Sequence, residues 1–345
     1  MPTPASASDP TPTPGATPTP APTSTPDTMR AIRFHENGEP ADVLRLETAP
    51  VPEPGPDRIR IAVHACGLAP ADWALCRGLF PRTLPRGIGY DVSGTVEAVG
   101  AGVTDVAVGD RVFGTADFAG QPSAGAADRA VLDRWFAVPE GLDLTQAATL
   151  PMALSTASWH LARLGLTEDT TILINGAGTT IGYAAVQIAL IRGARVIATA
   201  GETYAERLRA LGATVVGYGD GLAERVKALG VGRIDVAFDT APPNGALPQL
   251  VEIVDGDPQR VLTCSDLAAA AELGVRDSFH EEPAIRTDED RFNVFPEFAR
   301  LAAEGRFTVP VAGTFPLTDW RKALDISLTG HAHGKLLLLP GVNSD

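Results

Sequence analysis

The stretch with the clearest chemistry runs from Thr171 to Gly182, TILINGAGTTIG. Gly176, Gly178 and Gly182 form GxGxxxG, with Ala177, Thr179, Thr180 and Ile181 between them. Such a turn lets the backbone approach a pyrophosphate closely, because no Cβ intervenes. It also leaves N–H groups unpaired at a helix start, where the helix dipole favours an anion. The last glycine lets the helix pack close to a sheet. Three glycines are equally compatible with an ordinary tight turn, so the surrounding elements must decide.

Those elements favour the cradle. Thr171 to Asn175 reads as a short buried strand, and YAAVQIALIRGA carries apolar residues at helical spacing. A second strand, RVIAT at 195–199, follows at the distance a strand–helix–strand unit needs. Candidates keep alternating: TVVGY at 214–218, GLAERVKALG at 221–230, RIDVAFDT at 233–240 and RVLTC at 260–264. That pattern predicts a doubly wound parallel sheet covered by helices, with a ligand at the carboxyl ends of its strands.

The chain has 345 residues, enough for two domains. Its net charge of −14 argues against nucleic acid or an anionic membrane as main partner, since both require clustered Lys and Arg. No apolar run is long enough to span a bilayer. Three cysteines, Cys66, Cys76 and Cys264, with no CxxC, suggest a reduced, cytoplasmic protein.

Residues 1–28 are almost all Pro, Thr, Ala and Ser and read as a disordered, polyproline-leaning tail without the features of a secretory signal. It reads as an appended leader or the product of an upstream start, with partner docking as the alternative. From Met29 the chain is β-rich: MRAIRF opens it, RIRIAVHACGL at 58–68 alternates, GYDVSGTVEAVG at 89–100 reads as a glycine-punctuated strand pair, and VGDRVFG at 108–114 as turn then strand. Helical patterning begins near Leu144. After the parallel region, 292–305 reads as helix, 310–327 as strand, turn and helix, and GKLLLLP at 334–340 as a closing strand that returns to the first domain. The expected boundaries are therefore a β-rich domain over 29–152 and 290–345 with a dinucleotide domain over 153–289 inserted in it.

GYDVSGTVEAVGAGVTDVAVGDRVFG, INGAGTTIGYAAVQIALIRGARVIATA, RALGATVV, IDVAFDT and the terminal HGKLLLL occur in an order that resembles the medium-chain dehydrogenase/reductases. The likeness runs from Met29 to Pro340 and is greatest to the zinc-free, quinone oxidoreductase-like and enone reductase-like branch. It implies a GroES-like catalytic domain, a Rossmann-type domain, a nicotinamide cofactor and a homodimer. In zinc-dependent relatives the three catalytic ligands fall where this chain has Ala69, Tyr90 and, nearby, Met152. A catalytic zinc needs three Cys, His or carboxylate ligands, so no metal is expected.

NAD-specific relatives carry a carboxylate at the end of the second strand, where Thr199 stands here. Without that charge NADPH is the expected cofactor. The resemblance places a phosphate-holding Lys at about Tyr204; Arg207, one turn on, and Arg195 are the cations open to that role. It also places Thr156, Thr240, Cys264 and Ser265 along the cofactor. Hydride chemistry belongs to the cofactor, but charge developing on the substrate oxygen must meet a donor. Here the chain departs from its relatives: Ala69 replaces a common Asn, and Phe80 stands where enoyl thioester reductases have a Tyr. Tyr90 and Asp72 are the donor candidates taken forward, with His64 and His160 as further ones and water as an alternative proton source. His331 and His333 read as loop residues. The function expected is zinc-independent, NADPH-dependent hydride transfer to a quinone, enone or other conjugated carbonyl. The alternatives are metal-free alcohol or ketone oxidoreduction and a non-catalytic NADPH-binding accessory.

Overall fold

The alternating run at 58–68 becomes strand Ile59–Leu68, about which the β-rich part is built. In the computed structural model, which describes residues 27–117, 122–279 and 291–342, this strand meets three neighbours. Its first half pairs with Arg129–Ala137, its last residues with Lys335–Leu339, and its length with Asp91–Val99. Strand Arg111–Ala116 links Asp91–Val99 to Arg129–Ala137, and Val311–Pro316 runs parallel to Lys335–Leu339. A sheet that pairs twice with one strand closes on itself, and Ile59, Ile61, Val92, Val112 and Leu132 fill its interior. The two strands from the chain's end thus complete the body begun near its start.

Two expectations change in detail. Residues 89–100 form one strand, Asp91–Val99, and not a pair. A Cβ at Gly94 would lie 2.0 Å from the Ala62 carbonyl oxygen, so that glycine marks close strand approach and not a turn. The tail expected over 1–28 lies outside the described residues except at its end, where Thr28 already pairs with Pro50.

The second sheet is wholly parallel, in the order 214–216, 195–199, 171–175, 236–239, 261–263, 276–277. One face is covered by helices Leu150–Arg163 and Thr180–Ile191, with Phe295–Ala303 packed beyond them. The other is covered by Leu222–Ala228 and Leu247–Ile253. Burial on both faces explains why these strands read as continuous apolar runs. The protein is therefore a GroES-like domain joined to a Rossmann-like domain. Helix Leu150–Arg163 runs from one to the other: the Met152 N–H bonds Asp91 in the barrel, and Arg163 bonds the Asp277 carbonyl at the far sheet edge.

Candidate active site

The glycine turn lies where strand Thr171–Asn175 meets helix Thr180–Ile191, at the carboxyl end of the parallel sheet. Gly176 has φ +77°, and a Cβ there would sit 2.6 Å from the Ala241 nitrogen. At Gly182 a Cβ would sit 2.3 Å from the Gly176 carbonyl oxygen. Thr179 caps the helix by accepting from the Gly182 N–H at 3.0 Å. Ala177 bonds the Thr199 carbonyl and Thr179 N–H bonds the Gly176 carbonyl. Among the described residues no hydrogen bond involves the N–H of Gly178, Thr180 or Ile181. That open set of donors at a helix start is a cradle for a phosphate.

Beneath the turn lies a buried polar network that sequence reading missed. Asn175 donates to Asp239 at 2.8 Å, Thr263 donates to the same carboxylate at 2.7 Å, and Thr199 donates to Asn175 at 2.6 Å. Burial pushes the Asp239 carboxyl above its ordinary range. Thr199 also accepts from the Gly176 N–H at 3.0 Å. Its hydroxyl is therefore turned under the glycine turn, not outward toward a ribose. Thr240 likewise donates to the carbonyl oxygens of Asn175 and Gly176. Both threonines shape the turn from below. The only signal in sequence was a polar residue ending each of four strands, which periodicity treats as punctuation.

Tyr204 is buried, its ring 3.2 Å from where a Cβ on Gly178 would be, and it packs edge-on to Tyr183. It floors the turn where a phosphate-holding cation was expected. Exposed Arg207 stacks 6.0 Å over that ring. Arg195 is corrected outright: it opens its strand beside Thr171, at the opposite end of the sheet from the turn. Tyr218, 62% exposed, was not anticipated; its ring lies 3.5 Å from where a Cβ on Gly201 would be, just past the second strand. Glu202, Glu206 and Arg209 line an adjacent groove. Cys264 follows the fifth strand, its thiol pushed up to about 12 by burial, and Ser265 donates to the Ala241 carbonyl. The His333 ring lies 6.3 Å from both His331 and Tyr204.

In the β-rich domain, two buried carboxylates tie down the segments that carry Ala69, Tyr90 and Met152. Asp72 accepts from the Ala69 N–H at 2.8 Å and the Gly89 N–H at 2.7 Å. Burial raises its pKa to about 6. With both oxygens held by backbone inside the fold, Asp72 has the geometry of a support and not of a group that meets substrate. Asp91 accepts from the Met152 N–H at 2.8 Å and is ion-paired with buried Lys335. Together they bring Ala69, Tyr90 and Met152 into one region. Of the three, Ala69 offers no donor atom to a metal and Met152 only a weak thioether, so they do not fit a catalytic zinc. Among the described residues no group of three His, Cys, Asp or Glu is placed to hold a metal ion.

Tyr90 is half-buried and its phenol is pushed up to about 12 by burial, against the opposing charge of Arg291. It is hydrogen-bonded with Thr115, which donates to Asp133 at 2.8 Å. His64 is exposed beside Thr145. His160 is buried against Phe238, and its ring nitrogens are 2.6 Å from the Thr156 carbonyl and 2.7 Å from the Ser278 hydroxyl. Burial lowers its pKa to about 3, so it stays neutral. Phe80, at φ 54°, packs edge-on to Phe279 with centroids 5.4 Å apart, a contact between the two domains.

Comparison with known proteins agrees with this architecture. Residues 55–141 match the Alcohol dehydrogenase GroES-like domain, and 180–288 match the Zinc-binding dehydrogenase family. The chain is 30% identical to a quinone oxidoreductase of Rattus norvegicus, over 90% of this chain and 98% of that one. It is 31% identical to the NADPH-dependent alkenal/one oxidoreductase of Arabidopsis thaliana chloroplasts, over 91% and 80%. The solved quinone oxidoreductase from Coxiella burnetii superposes with a TM-score of 0.73 at 28% identity, over 90% and 99%. With both domain families matched and relatives aligned almost end to end, the chain belongs to the quinone oxidoreductase-like branch of the medium-chain dehydrogenase/reductase superfamily.

Proposed function

We propose that this oxidoreductase uses NADPH to reduce a conjugated carbonyl, a quinone or an enone, without a catalytic metal. The observation that carries the reading is the open set of N–H groups at Gly178, Thr180 and Ile181, in a chain whose positions matching zinc ligands are Ala69, Tyr90 and Met152. When bound, a reduced nicotinamide supplies hydride; the chain must position it, exclude water and answer the charge left on the substrate. Gly176, Ala177, Gly178, Thr179, Thr180, Ile181 and Gly182 form the cradle. Thr199, Thr240 and Tyr204 hold its shape. Arg207 and Tyr218 flank the adenosine end, while Thr156, Cys264 and Ser265 border the nicotinamide end. Tyr90 is the proton donor to the reduced substrate, resupplied through Thr115 and Asp133. Asp72 acts only by fixing the loops at Ala69 and Gly89.

NADPH over NADH is supported by the absence of a carboxylate at Thr199 and by the named cofactor of the Arabidopsis relative. Glu202 and Glu206 work against the extra phosphate, so selectivity should be modest. A cytoplasmic homodimer completes the reading. Among the described residues no helix is long and apolar enough to cross a membrane. NADPH oxidation against a panel of quinones, enones and simple ketones tests it. Turnover confined to conjugated carbonyls supports the proposal. Turnover of simple ketones alone favours metal-free ketone reduction, and tight binding with no turnover favours an accessory role.

A further inference from the structure

Helix Leu150–Arg163 is buried except along Met152, Thr156, Trp159 and Ala162, residues three or four apart that share one face. That stripe starts at Met152, whose N–H bonds Asp91, and passes through Trp159. Against Trp159 lie two guanidinium groups, Arg163 at 4.8 Å and Arg291 at 5.2 Å from the ring centroid. They are not equivalent. Arg163 donates to the Asp277 carbonyl. Arg291 also edges the Phe292 ring at 5.9 Å, but its Nε is buried with no hydrogen-bond partner. Among the described residues one other buried side-chain nitrogen shares that condition, Arg60 Nε, and Glu97 stands 3.7 Å from it. Arg291 pairs with no carboxylate among the described residues. A buried donor left open is an invitation to an acceptor, because burial without one is costly.

The charge of Arg291 also reaches the catalytic region. It opposes the upward shift of the Tyr90 phenol and adds to the downward shift of His160. Arg291 thus stands against Trp159 on the helix and within electrostatic reach of the half-buried phenol.

We infer that Arg291 is the electrostatic partner of the substrate's carbonyl oxygen, an oxyanion-stabilising residue for reduction of conjugated carbonyls. The inference rests on the function proposed above and supplies what Ala69 and Phe80 cannot. Hydride adds to the β-carbon of the enone, or to its counterpart in a quinone. The alkene pair moves toward the carbonyl, and one electron pair settles on oxygen beside the guanidinium. A proton from the Tyr90 phenol, restored from water by way of Asp133 and Thr115, completes the reduced product, and the oxidised nicotinamide is the co-product. Arg291 gives up no proton, since a guanidinium stays charged. Its planar fork suits an oxygen whose charge grows in the transition state.

The test uses the full chain with Arg291→Gln and Arg291→Lys. Removing one oxyanion donor costs about 10²-fold in kcat, so R291Q should lose about that much, with KM and the NADPH Kd within twofold of wild type. R291K should retain an intermediate rate. A second readout needs no turnover: 4-nitrophenolate, a planar oxyanion, should bind the NADP-loaded protein and weaken about tenfold in R291Q. The inference is overturned if wild type turns over while R291Q keeps kcat within threefold, or if nitrophenolate binds both equally. Loss of NADPH binding in both variants would assign Arg291 to the cofactor and overturn it too. If wild type reduces no quinone or enone, the proposed function fails, and nitrophenolate binding still decides the oxyanion site.

Discussion

Gly182 and Gly178 of the turn should respond differently to alanine, and the difference isolates the cradle from the fold. At Gly182 a Cβ would lie 2.3 Å from the Gly176 carbonyl oxygen, 2.6 Å from the Thr240 hydroxyl and 2.9 Å from the Gly176 carbonyl carbon. Two of those three are backbone atoms that the sheet holds in place. Ordinary contact begins near 3.4 Å, so the overlap is about 1 Å and the strand–helix junction must shift. Overpacking of this kind costs about 1–3 kcal/mol. The gain from replacing a helical glycine, about 0.5–1 kcal/mol, does not offset it. At Gly178 the nearest atom is Tyr204 Cδ2 at 3.2 Å, part of a ring that can tilt, so Gly178→Ala should cost the fold less than about 1 kcal/mol. Its new methyl instead stands beside the open N–H groups. The expected result is a G182A protein with a lower urea midpoint and weaker NADPH binding. G178A should keep a wild-type midpoint yet lose at least about tenfold in NADPH affinity by fluorescence titration. Wild-type NADPH affinity in G178A would falsify the placement of the phosphate, and an unchanged midpoint in G182A would refute the packing argument.

Other residues make equally specific predictions. Lys335→Met leaves the Asp91 carboxylate buried with the Met152 N–H as its remaining partner, and stability should fall by about 3–5 kcal/mol. The double variant with Asp91→Asn should recover part of that loss in urea unfolding; a double variant worse than the single refutes the pairing. His160 has a folded pKa near 3 against an ordinary 6.5, so its neutral form contributes stability that is complete above pH 6.5 and lost as pH falls toward 3. By pH 5 the loss is about 2 kcal/mol. His160→Gln, which can keep bonds to Thr156 and Ser278, should flatten unfolding free energy between pH 7 and 5; an unaltered slope counts against this account. Glu202→Gln should raise NADPH affinity about threefold at low ionic strength, and added salt should erase the gain. A gain equal for NADH and NADPH would show that Glu202 does not face the phosphate.

The sequence alone determined the elements and their class. TILIN, RVIAT and KLLLL are strands in the structure over the residues at which they read as strands, because an apolar run between polar or glycine stops can be buried only one way. The glycine spacing likewise announced a turn that needs backbone room. What needed the tertiary structure was everything set by elements distant in the chain. Asp72 stood among the donor candidates until the Ala69 and Gly89 N–H groups were seen to occupy it. Arg195 was one of two cations open to the phosphate until its strand acquired a direction. Gly94 looked like a bend until Ala62, on the neighbouring strand, filled the space beside it. Arg291 had no local pattern at all, since its meaning comes from Trp159 and Tyr90, each more than a hundred residues away. Periodicity reports which face of an element is buried. It does not report which polar atoms meet there, and the chemistry of this cleft depends on those meetings.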